Sequence, residues 1–199
     1  MAADKIYTAN NILFAVAGLT SSDDGSFDAS KIIRQELENE GSFSDVVQNA
    51  QDAIEVPLGN AVRLIHGSRP EEFKKFLARR DALEVVFAAK SDGEIALIQM
   101  AFKAKRRGKD VILEARQSKY PNRNTNISSL EFVTAGVDDV VVNDFKKTAN
   151  PQEALVYPET ALKKFMDMVI AAEPSHTSYP INIAKLAESG ITFTTIESA

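Results

Sequence analysis

Two nearly uninterrupted apolar stretches, Ile12-Leu-Phe-Ala-Val-Ala-Gly18 and Leu83-Glu-Val-Val-Phe-Ala-Ala89, constrain this chain more than any other feature. Apolar side chains at successive positions point to both faces of a strand. Such runs therefore suit strands covered on both sides, as in parallel sheets. From Leu83 to Asn143 the pattern reads strand, helix, strand, helix, strand. Ser91-Asp92-Gly93-Glu94 has the serine-to-glutamate spacing of a capping box. It is expected to open a helix with Ile95, Ile98 and Phe102 on one stripe, ended by Gly108. Asp110–Ala115 follows as a strand, Ser128-Ser129-Leu130-Glu131 opens a short helix to Gly136, and Asp139–Val142 is the next strand.

The flanking segments extend the alternation. Ala29–Glu40 reads as a helix with Ile32, Ile33 and Leu37 on one face and Gly41 as its stop, and Asp45-Val46-Val47 as a short strand. Residues 51–67 resist assignment, because Pro57 and Gly59 interrupt the pattern. Ser68-Arg69-Pro70-Glu71 is a further capping box, with Phe73, Phe76 and Leu77 expected inward. Pro158–Ala172 is a helix with Leu162, Phe165, Met166 and Val169 in phase. A small helix over Ile183–Ser189 and a final strand over Ile191–Ile196 complete the chain. Strands alternating with helices imply right-handed βαβ units. The expected fold is a three-layer, doubly wound α/β domain with a mostly parallel five-stranded sheet. It would cover residues 1–172, with an insertion at about 52–68, and residues 173–199 would add a helix–strand extension on the same domain.

Composition narrows the function classes. A net charge of −5 opposes non-specific binding to nucleic acid, which needs a basic surface. The chain has no cysteine, which removes disulfide and thiol chemistry, and only two histidines, His66 and His176. Ile12–Leu19 is too short to span a bilayer, so a cytoplasmic protein without membrane insertion is expected.

In open parallel sheets, ligands bind beyond the carboxyl ends of the strands. That rule makes Asp23, Asp24, Lys90, Asp92 and Asn143 the candidate ligand-binding residues. Asp23 and Asp24 could hold a hard cation, or simply form a solvated Ser-Asp-Asp-Gly turn. Gly18–Gly25 lacks the spacing of a dinucleotide fingerprint or a P-loop. The amide groups at the Ser91 helix start could hold an anion, although Asp92 already brings negative charge there. Lys103, Lys105, Arg106, Arg107 and Lys109 read as a solvated helix end rather than a nucleic-acid patch. Neither histidine belongs to a nucleophile-elbow motif. No catalytic residue, metal site or cofactor is expected.

The feature order from Leu83 onward resembles the receiver domain of bacterial response regulators. Asp92-Gly93 resembles the Asp-Gly that follows the family's phospho-accepting strand. Phe132-Val-Thr-Ala-Gly-Val-Asp-Asp-Val-Val-Val142 looks like the segment leading into its fifth strand. The chemistry that the family requires is missing. Strand one ends Ala17-Gly18, Ala88 and Ala89 stand where the aspartate is expected, Glu114-Ala115 where a hydroxyl is expected, and Asn143 in place of the lysine. The resemblance thus implies a phosphorylation-independent receiver-like adaptor or scaffold, contacting a protein partner or itself through Phe132, Val140, Phe165 and Met168. A flavodoxin-like ligand binder or enzyme, and a structural subunit of a homo-oligomer or filament, are the competing readings.

Overall fold

The structure is a computed structural model that describes residues 6–71, 73–74, 81–91, 93–108, 110–120, 139–172, 181–187 and 189–196. The chain divides into two compact units, residues 1–120 and 121–199.

The first unit is built on a five-stranded sheet in sequence order: β1 (Ile6–Ala9), β2 (Ile12–Gly18), β3 (Leu83–Ser91), β4 (Glu94–Arg107) and β5 (Asp110–Tyr120). Every pairing in it is antiparallel. The expected doubly wound, mostly parallel sheet is therefore corrected. A run apolar on both sides marks a central strand, but it carries no information about the direction of its neighbours.

The turns set the direction instead. Ala9 pairs with Ile12, which leaves Asn10 and Asn11 as a two-residue loop, with φ of +47° and +61°. Positive φ at both loop positions is the type I′ geometry that matches strand twist, and asparagine tolerates it. Ser91 pairs with Glu94, so a two-residue connection containing Gly93 at φ +84° replaces the expected helix start. Arg107 pairs with Asp110 in the same manner, with Gly108 at φ +64°. Residues 94–107, expected as a helix, form the longest strand. Their Ile95/Ile98/Phe102 spacing also fits a strand that is apolar on both faces, and pairing with β3 and β5 overrides the helical propensity of Ala, Leu and Met.

Two helices pack on one face. In α1 (Ala29–Leu37), the Asp28 carboxylate accepts from Lys31 N–H at 3.1 Å, and Ala29, Ile33 and Leu37 are buried. The second, α2 (Phe43–Ser68), includes both the segment expected as a strand at Phe43–Gln48 and the unassigned residues beyond it. It opens with a capping box in which Asp45 N–H donates to Ser42 Oγ (3.3 Å) and Ser42 N–H to Asp45 Oδ2 (3.3 Å). Pro57 lies inside it. The helix runs antiparallel to β5: Ser44 meets Lys119, Gln48 and Gln51 meet Gln117, Gly59 meets Leu113, and Arg63 meets Asp110. Nineteen helical steps at 1.5 Å give about 28 Å, and nine strand steps at 3.4 Å about 31 Å, so the two elements stay in step along their length. The core between sheet and helices holds Phe14, Phe87, Phe102, Met100, Leu83, Ile54 and Leu58, with Phe27 sealing one end.

The second unit contains α3 (Asp139–Thr148), α4 (Pro151–Val156), α5 (Pro158–Ala172) and an antiparallel hairpin of β6 (Ile181–Ala187) and β7 (Gly190–Ile196). Asp139–Val142, expected as a strand, begins α3, and the expected small helix at Ile183–Ser189 overlaps β6. Val141, Val142, Phe145, Phe165 and Val169 form a second core, with the Phe145 and Phe165 rings 5.1 Å apart in an edge-on arrangement. Among the described residues, no helix is long and apolar enough to cross a membrane.

Candidate functional site

Antiparallel pairing dismantles the expected crevice. The loop after β2 leaves the sheet beside Leu83, whereas Lys90 lies at the far end of β3. Seven residues of strand separate these ends, about 24 Å at 3.4 Å per residue. Asn143 is an exposed residue of α3 in the other unit, and Asp92 lies outside the described residues.

The acidic pair in the first loop is a turn. Asp24 Oδ1 accepts from Ser22 Oγ (2.6 Å), Ser26 Oγ (2.7 Å) and Ser26 N–H (3.0 Å). Those serine hydrogen bonds hold its carboxyl down at about 2. Ser22 Oγ in turn accepts Phe27 N–H at 2.8 Å, so the network fixes the loop that seats Phe27 in the core. Asp23 points away, its side chain 98% exposed and 3.7 Å from Arg69. No group of three or more potential metal ligands occurs among the described residues.

One pocket of about 220 Å³ lies between the end of α2 and the β4 tip, lined by His66, Pro70, Phe73, Lys74 and Arg106. Its size falls below the usual range of ligand cavities, roughly 300–1,000 Å³. His66 stands edge-on to buried Phe73 at 4.9 Å, which makes it a packing residue of the helix end. Arg106 Nε donates to Gly108 O at 3.1 Å, and Lys74 pairs with Glu71 at 2.6 Å. Phe73 sits inward as expected from the sequence, while Phe76 and Leu77 lie outside the described residues, as does His176.

The residues expected at a partner surface have separate fates. Phe132 is outside the described residues, Phe165 is buried in the second core, and Met168 packs partly buried against it. Val140 alone is well exposed, at 66%.

Sequence reasoning missed the features that dominate the first unit, the second face of its sheet and the open edge of β5. The strand registers place Leu13, Ala88 and Leu97 in one row across β2, β3 and β4, and Ala15, Val86 and Gln99 in the next. Most of these side chains are half-buried, and Ile95 at the end of the face is 49% exposed. The other end of this face is charged: Glu84, Lys103, Lys105, Glu114 and Arg116. Lys105 pairs with Glu114, and Arg116 pairs with Asp81, whose side chain is only 6% exposed. Among the described residues β5 has no strand partner on its outer side. The signal for this arrangement was present in Asp92-Gly93 and in Arg107-Gly108-Lys109-Asp110, whose glycines mark hairpins.

No family model matches the chain, and neither a curated protein nor a solved structure shows a significant similarity to it.

Proposed function

We propose that this chain is a structural subunit that works by contact between protein surfaces, chiefly with copies of itself. The observation that carries the reading is the second face of the first unit's sheet. A sheet that needs only one core alternates apolar and polar residues. Here the face turned away from α1 and α2 carries half-buried Leu13, Ala15, Val86 and Leu97 and exposed Ile95 as well. Apolar side chains grouped on such a face favour contact with another protein surface. Short two-residue hairpins and a long helix locked to β5 support the reading too, since a rigid face loses little entropy on association.

Sedimentation velocity across a concentration series tests this. The expected result is a concentration-dependent rise in sedimentation coefficient, reduced by Leu97→Lys. A chain that stays monomeric at every concentration reached would overturn it.

A further inference from the structure

We infer that two copies of this chain join edge to edge through β5, antiparallel about a two-fold axis at Ala115, to make one continuous ten-stranded sheet. The inference rests on the self-association just proposed and adds the β5 edge to the sheet face as a second contact surface.

The hydrogen-bond pattern of β5 fixes which groups are on offer. A two-residue loop makes Arg107 and Asp110 a hydrogen-bonded pair. Even-numbered residues of β5 therefore direct their N–H and C=O groups toward β4, and odd-numbered ones direct theirs to the outer edge. Val111 bears this out: its N–H donates to the Asp110 carboxylate at 2.9 Å. Among the described residues the edge thus presents alternate residues, Leu113, Ala115, Gln117 and Lys119, for pairing, while the Val111 N–H is already engaged. Ala115 is exposed although its side chain lies on the helix-bearing face, so α2 leaves the margin of the strand open.

Charge selects the partner and the register. Centring the pair on Ala115 aligns all of Asp110–Tyr120 with its copy. It sets Glu114 opposite Arg116 of the second copy, and Arg116 opposite Glu114, at non-hydrogen-bonded positions where side chains come closest. Both side chains are at least half exposed, 52% and 63%, beside their existing partners Lys105 and Asp81. Slipping the register by two residues one way brings Glu114 against Glu114, and the other way Arg116 against Arg116. Like charges directly opposite are destabilising. Such a self-complementary surface is what a two-fold interface requires. The same charges turn away uncharged or mismatched strands that an open edge would otherwise attract.

The test uses the full chain, which has no native cysteine. Ala115→Cys places one thiol on the axis, opposite its copy at about 5.5 Å between Cα atoms, within disulfide reach. Ser118→Cys places the two thiols about 20 Å apart along the strands. Under mild oxidation, the first variant is expected to give a covalent dimer and the second to remain a monomer on non-reducing gels. Glu114→Arg, which sets arginine against Arg116 twice per dimer, is expected to weaken association on the order of tenfold in sedimentation. If the chain associates but Ala115→Cys does not cross-link, or cross-links no better than Ser118→Cys, the edge is not the interface, while the structural-subunit reading stands. If the unmodified chain never associates, both fall.

Discussion

Gly18 closes β2 at the point where the chain must turn against β3, and replacing it with alanine separates two costs of losing a glycine. Its φ of +99° lies where a side chain is strained, and an added Cβ would stand 2.6 Å from the Ala82 carbonyl oxygen and 3.2 Å from Leu83 Cα. That oxygen cannot retreat freely, because it accepts the Leu19 N–H at 2.8 Å. The backbone conformation costs about 1–2 kcal/mol, and stretching or breaking the hydrogen bond adds about 1 kcal/mol. Gly18→Ala should therefore destabilise by roughly 2–3 kcal/mol. Gly25, with φ of +72° but nothing within 4 Å of its added Cβ, isolates the first cost. Gly25→Ala should lose only that backbone cost, about 1–2 kcal/mol. Urea denaturation followed by circular dichroism is the suitable assay, since the chain has no tryptophan. The midpoint should fall at unchanged slope. Equal losses for the two variants would refute the claim that close approach of β2 to the Ala82 carbonyl decides the cost.

Other outcomes follow from the same contacts. Leu58→Ala on α2, fully buried between helix and sheet, should cost about 2–5 kcal/mol by the same denaturation. Ser42→Ala removes the acceptor of the α2 capping box and should cost about 1 kcal/mol. The Asp24 carboxyl is held at about 2, below its unfolded value near 3.9. Its contribution is thus present above about pH 4 and lost as pH falls toward 2. Asp28 has the same sign: burial raises its pKa, but hydrogen bonds from the Lys31 amide and the Ser30 hydroxyl outweigh this and lower it. Thermal melts from pH 5 to 2 should show a shallower acid loss for Asp24→Asn than for the unmodified chain. Identical slopes would mean that the serine network around Asp24 does not support the loop.

Much of the secondary structure was legible residue by residue, and the failures share a cause. Ala29–Leu37 and Pro158–Ala172 are helices as their spacing implies, because each shows a single apolar stripe. Glu94–Arg107 was misread because both its faces carry apolar residues, so its side chains satisfy a 3.6-residue period as well as an alternating one. Asp139–Val142 was misread the other way, since a short run of valines has strand propensity that the packing of Val141, Val142 and Phe145 against Phe165 and Val169 overrides. Phe43–Ser68 was unreadable as one helix because Pro57 normally ends or kinks one. Of the candidate ligand residues, Asp23 and Asp24 lie in a Ser-Asp-Asp-Gly turn, and grouping them with Lys90 and Asn143 depends on a strand direction that only pairing defines.

By itself, then, the order of residues determined which segments are buried and extended, above all Ile12–Gly18 and Leu83–Ala89. Apolarity acts locally and can be read locally. Whether those two stretches run parallel or antiparallel was decided only by tertiary structure. The decision rests on the register that pairs Gly18 of β2 with Leu83 of β3 and on a 26-residue helix kept in step with β5. These are contacts between residues far apart in the chain, and no local pattern contains them.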